Sequence, residues 1–146
     1  MIEFIVIVES DADARTSTQL AERILIEKVE WLENDSIQYC FQWSGLQAGT
    51  KYSCWSDVLK IIDEAKKQLR FKPSRYLGHE RNSEPLKADG ASSIKLLNLV
   101  RFLQKTRPIQ AVILIRDLDN QPERRQGLEQ ARLKHIDGEP AIEDRL

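Results

Sequence analysis

Two stretches of the chain are apolar almost without interruption. Residues 2–8 read IEFIVIV and residues 111–115 read AVILI. Runs of this length, bounded by polar and turn residues, predict strands buried on both faces. Each hands over to acids. Glu9 follows the first, with Ser10, Asp11 and Asp13 close behind, and Asp117 and Asp119 follow the second, one residue apart. Asn120, Gln121, Pro122 and Glu123 then carry a helix-start signature: a cap residue, proline in the first turn and glutamate three positions on. The chain therefore reads as organised around residues 111–123, where a buried strand gives way to a helix.

Helical spacing accounts for most of the rest. Residues 12–29 place Leu20, Ala21, Ile24, Leu25 and Val29 on one stripe, with Ser10 or Asp11 as the cap. Capping is the commoner role for Asp11. Asn34 and Asp35 signal a turn. Residues 36–43 (SIQYCFQW) alternate, with Ile37, Tyr39 and Phe41 on one face, which predicts a strand nearer the sheet edge. Ser56 caps a helix reaching Phe71, with Val58, Leu59, Ile61, Ile62, Ala65 and Leu69 as its buried stripe. Ser92 or Ser93 starts another, ending near Thr106, on Ile94, Leu97, Leu99, Val100, Phe102 and Leu103. Pro108 stops it. The last helix spans 122–135 with Leu128, Ala131 and Leu133 as core contacts. Residues 73–90 form an irregular loop and 136–146 a charged tail. His79, inside that loop, is a candidate to reach an active site, although simple exposure is the commoner fate of such a histidine.

The order β-α-β-α-α-β-α predicts one α/β domain over residues 1–146. Its sheet is small, parallel, doubly wound and Rossmann-like, with helices on both faces. Three strands make a narrow sheet, so a fourth is expected from residues 51–54, from 75–77 or from a partner.

Composition narrows the class. The 146 residues are 41% hydrophobic and 31% charged, with a net charge of −1. That is ordinary for a globular domain and excludes charge-driven coating of nucleic acid, while leaving room for a local basic patch. Lys60, Lys66, Lys67, Arg70, Lys72 and Arg75 form one candidate; a solvated helix face with cations near its C-terminus is the plainer reading. No apolar run approaches a membrane span and no leader pattern is present, so the expectation is a cytoplasmic protein. Cys40 and Cys54 lack metal-ligand spacing and read as reduced thiols.

The acids supply the candidate chemistry. If the two buried strands are parallel neighbours, Glu9, Asp117 and Asp119 converge at the carboxyl end of the sheet, where open α/β folds bind ligands. Three carboxylates make a hard, oxygen-rich site suited to Mg²⁺ or Mn²⁺. Arg116 and Arg124 flank them and could contact a substrate phosphate; surface pairing with Glu123 or Glu129 is the competing reading.

A glutamate after a first buried strand and an Asp-x-Asp pair after a later one resemble a Toprim domain. This is the α/β metal-binding module of topoisomerases, DnaG-type primases, recombination mediators and OLD-type nucleases. Ile7-Val8-Glu9-Ser10 looks like the matching stretch of type IA topoisomerases. The layout is most similar to a small stand-alone Toprim protein of the OLD-nuclease-like type. Where some topoisomerases carry a lysine shortly after the glutamate, this chain has Asp11, Ala12 and Asp13. The 146 residues show no tyrosine-bearing strand-passage domain, zinc module or polymerase core, so neither a strand-passage enzyme nor a whole primase is expected. The further strand and acid of OLD-type nucleases have only Glu139, Glu143 and Asp144 as substitutes. Residues 5–14 and 112–122 also resemble parts of a response-regulator receiver, but they lie too far apart and the later receiver strands are missing.

The resemblance implies Mg²⁺- or Mn²⁺-dependent phosphodiester chemistry on nucleic acid, DNA before RNA, in a phage-defence or DNA-repair setting. Glu9, Asp117 and Asp119 would be the catalytic and metal residues, with Glu9 a ligand or the general base. The alternative is a non-catalytic Toprim-like subunit that binds a protein partner or a second copy through a sheet edge. Exposure of Trp31, Trp43 or Trp55 would support that alternative, though a core position is commoner for tryptophan.

Overall fold

Among the described residues, every other strand pairs with β1 (Ile2–Val8). In this computed structural model residues 1–72, 90–117 and 121–137 are described. They fall into two units: Met1–Ile61 with Leu103–Arg116, and the described residues of Ile62–Phe102 and Asp117–Leu146. The elements are β1, α1 (Asp11–Lys28), β2 (Phe41–Ser44), β3 (Ser53–Cys54), α2 (Trp55–Gln68), α3 (Gly90–Leu103), β4 (Ile109–Leu114) and α4 (Glu123–Asp137). The fold class is the one read from the sequence: α/β, with a small open sheet of parallel strands of the Rossmann-like kind.

The first unit holds the sheet. β1 pairs with β2 through Ile2–Ile5 and with β4 through Glu3–Ile7. Residues paired with both must use opposite edges, so β2 and β4 flank β1. β3 pairs at Ile7 and Val8, where Ile7 also faces Leu114 of β4. β2 and β3 therefore share one edge of β1, end after end. The expected fourth strand is β3, inside residues 51–54. The link between β2 and β3 is a tight loop. Gly45 N–H donates to the Thr50 carbonyl at 2.8 Å, and Leu46 N–H donates to Ser53 Oγ at 2.9 Å.

Both faces of β1 are covered: Ile5, Val6, Ile7 and Val8 are wholly buried. On one face Val6 and Val8 pack with Ala14 of α1 and with Trp43, Tyr52 and Ile115. Farther along that face Phe4, Phe41 and Trp43 form an aromatic cluster with centroids 4.3–5.7 Å apart. α1 begins where expected, with Ser10 Oγ accepting from Asp13 N–H at 3.3 Å.

Several sequence expectations need correction. β4 is not a strand buried on both faces. Gln110 and Ala111 are exposed and Val112, Ile113 and Leu114 only half-buried, because β4 flanks β1 while β1 takes the centre. Residues 36–39 are not strand. A Ser36 turn, with Oγ accepting from Glu33 N–H at 3.1 Å, leads into a 3₁₀ turn at Ile37–Tyr39. The α1 stripe is also shifted. Leu20 and Ile24 are exposed, and Leu25, Ile26 and Val29 pack on the Leu32–Ile37–Phe41 cluster. Leu59 and Leu69 of the expected second stripe, and Leu133 of α4, are likewise exposed.

The second unit is described on its own. α2 ends in a left-handed residue, Arg70 at φ 57°, and Phe71 N–H donates back to the Ala65 carbonyl at 3.3 Å. A left-handed residue just past a helix end is normally glycine. Phe71 then packs on Phe102, centroids 5.3 Å apart. Most of the loop at 73–90, including His79, and all but the first residues of the tail lie outside the described residues.

Candidate functional site at the carboxyl end of the sheet

Parallel pairing sends β1, β3 and β4 out of the sheet at one end. The β4 ladder runs one residue past the strand, since Ile115 N–H donates to the Ile7 carbonyl at 2.9 Å. Glu9 comes next on β1 and Arg116 next after Ile115. β3 passes directly into α2, whose first residue is Trp55, 92% buried by its 8% exposure.

These three residues form one assembly. The Trp55 indole N–H donates to the Ile115 carbonyl at 2.7 Å. The Arg116 guanidinium lies over the Trp55 ring, 5.2 Å from its centroid, a cation–π distance. Arg116 Nη1 stands 3.2 Å from Glu9 Oε1, with side-chain exposures of 19% and 28%. That oxygen is buried, and the pair has ion-pair distance without hydrogen-bond alignment. Trp55 takes the core position that is commoner for tryptophan, and its contacts with Ile115 and Arg116 make it a site candidate that the sequence reading did not single out. Its position straight after a two-residue strand is the signal that could have found it. Trp43 is also withdrawn from the surface, donating from Nε1 to Glu22 at 2.7 Å. Trp31 alone of the three is exposed, at 74%.

More polar groups line the same end. Asp11 pairs with Arg15 at 3.5 Å within the first turns of α1. Tyr52 has its pKa raised, first by burial and then by the Asp11 carboxylate beside it. The Cys54 thiol is raised by burial and then by Asp57, Asp11 and Glu9. It therefore stays protonated at neutral pH and is a poor nucleophile. Both cysteines are free thiols, as expected.

Arg116 pairs with Glu9 and Arg132 with Glu129, the latter at 3.8 Å. Arg124 Nη1 donates to the backbone carbonyl of the exposed Asp117 at 2.9 Å. Asp119 lies outside the described residues. Among the described residues no group of three His, Cys, Asp or Glu side chains is assembled to hold a metal ion. An open cleft of about 470 Å³ beside α1, lined by Glu22, Arg23, Glu27 and Ile37 among others, contains none of the strand-end residues. No helix among the described residues is long and apolar enough to cross a membrane.

Comparison with known proteins adds no assignment: no family model, curated protein or solved structure matches the chain.

Proposed function

We propose that this chain carries out divalent-cation-dependent phosphodiester chemistry on nucleic acid, DNA before RNA, as a small Toprim-like protein of the cytoplasm. The observation that supports this reading is the parallel pairing of β1 with β4, Ile7 opposite Leu114. Glu9 and the segment leading into Asp117 and Asp119 thus depart from the same end of the sheet, the usual ligand end of an α/β fold.

The donor chemistry fits Mg²⁺ or Mn²⁺. Carboxylate oxygens are the ligands such ions take, and Glu9 Oε1 lacks a hydrogen bond. Glu9, Asp117 and Asp119 would hold the ion, which when bound polarises a phosphate ester and stabilises charge on its oxygens. Glu9 could instead take a proton from the attacking water. Arg116 and Arg124 would meet a substrate phosphate.

The test is cleavage of end-labelled single- and double-stranded DNA and RNA in Mn²⁺, with Glu9→Gln and Asp119→Asn alongside. The expected result is metal-dependent cleavage by the native chain, lost in both variants. Cleavage by none, or equally by all, overturns the reading. A second reading, an interaction subunit, is favoured by Trp31 and Tyr39, each 74% exposed. Its occupant would be a protein partner or a second copy, and a sedimentation measurement separates a self-associating chain from a monomer.

A further inference from the structure

We infer that Arg116 is a built-in counter-ion for Glu9, held on Trp55, and that a divalent cation must displace it to bind. The inference rests on the proposed function and adds to it a residue that opposes cation binding.

Three contacts within one unit carry it. Arg116 Nη1 stands 3.2 Å from Glu9 Oε1. A guanidinium against that oxygen disfavours a metal ion there, because two cations at such separations repel strongly outside bulk water. The guanidinium is not a loose surface charge: its side chain is only 19% exposed and it lies 5.2 Å from the Trp55 ring centroid. The ring itself is fixed, because its N–H donates to the carbonyl of Ile115, the residue before Arg116. The same indole thus anchors the backbone that carries the arginine and stacks against its head group.

The pair is also imperfect in a way that suits exchange. Glu9 Oε1 is buried, yet Arg116 reaches it without hydrogen-bond alignment. A buried carboxylate oxygen gains more from an aligned donor or a metal than from a misaligned one. Arg116 therefore neutralises Glu9 while the cation is absent and yields when one arrives. A guanidinium displaced from Glu9 would turn toward a substrate phosphate, which couples the arrival of the cation to that of the anionic substrate.

Trp55 acts through Arg116 and is a positioning residue. Removing its indole should loosen the clamp, while removing Arg116 should abolish it. An ion pair of this exposure opposes cation binding by roughly threefold to tenfold.

The experiment is calorimetric titration of the full chain with Mn²⁺, comparing the native protein with Arg116→Gln, Arg116→Lys, Trp55→Phe and Glu9→Gln. Mn²⁺ should bind Arg116→Gln about threefold to tenfold tighter than the native chain. Trp55→Phe should fall between, Arg116→Lys should stay nearer native, and Glu9→Gln should lose most binding. Tryptophan emission in Mg²⁺ gives a second readout: it should change in the native chain and hardly at all in Arg116→Gln. Should Arg116→Gln fail to fold, the order of Arg116→Lys and Trp55→Phe decides. Mn²⁺ binding by the native chain with no tightening in the Arg116 or Trp55 variants overturns the inference and leaves the proposed function standing. No binding by any of them overturns both.

Discussion

Glu3 and Arg107 meet in a two-pronged ion pair across 104 residues of chain, with Nη2 and Nε of Arg107 at 2.8 and 3.1 Å from the two carboxylate oxygens. The same guanidinium donates to the carbonyls of Leu46 at 2.7 Å and Gly45 at 3.0 Å. One side chain thereby ties the start of β1, the approach to β4 and the loop between β2 and β3. With side-chain exposures of 12% and 9%, the pair is nearly out of water. Removing one partner strands the other, which costs roughly 3–5 kcal/mol for a buried pair. Arg107→Ala is expected to lower stability on that scale in a urea titration.

The pH dependence of that loss has a definite sign. Arg107 hydrogen bonds hold the Glu3 carboxyl below its ordinary value, burial opposes them, and Ser44 adds a further lowering. A depressed acid contributes stability above its unfolded pKa and loses it as pH falls through the folded value. The gap between native and Arg107→Ala proteins should therefore be full at neutral pH and shrink as pH falls below the ordinary carboxylate range. A gap that widened in acid would contradict this role for Glu3.

Gly45 is required by space rather than by backbone angle. A Cβ there would lie 2.5 Å from the Tyr52 carbonyl oxygen and 2.8 Å from Ser53 Oγ, and closer still to Thr50 Oγ1. The carbonyl is backbone and cannot rotate away. Gly45→Ala is expected to cost about 1–3 kcal/mol by overpacking. Gly49 is the opposite case, open around its Cβ position but at φ 83°. Gly49→Ala should cost about 1 kcal/mol through strain alone. Thermal melts of the two variants would show the difference.

Arg70 occupies a left-handed position that glycine fills without strain. Arg70→Gly is expected to raise stability by roughly 0.5–1 kcal/mol, the left-handed penalty less the entropy glycine adds to the unfolded chain. A lower melting temperature would mean that the arginine side chain contributes more than its backbone costs.

The fold class was legible because β1 announces itself. Residues 2–8 have no face to give to water, and Glu9 follows where the strand must end. Residues 111–115 carry a similar signal but occupy a flanking strand, because an apolar run does not record whether one neighbour or two will pair with it. The α1 face was misread for a related reason. Small Ala14 is the residue buried against Val6 and Val8, and this fixes the helix rotation, leaving the larger Leu20 and Ile24 outside. Glu9 was singled out from its place after a strand, and the structure does set it at the end of β1. Its partner Arg116 was legible only as a nearby cation, since the register that brings Ile7 opposite Leu114 is not written in either segment alone. Trp55 was missed because its role depends on β3, a strand of two residues with no periodicity to read.

The central claim is that Glu9, Asp117 and Asp119 form a divalent-cation site, and differential scanning calorimetry tests it most directly. A cation that binds only the folded chain stabilises it by about 2.7 kcal/mol at a hundredfold excess over Kd. For a chain of 146 residues that corresponds to a rise of roughly 5–10 °C in melting temperature. Millimolar Mn²⁺ or Mg²⁺, against Na⁺ at matched ionic strength, is expected to produce that rise in the native protein and little of it in Asp117→Asn. An unchanged melting temperature, or an equal rise in Asp117→Asn, would contradict the account.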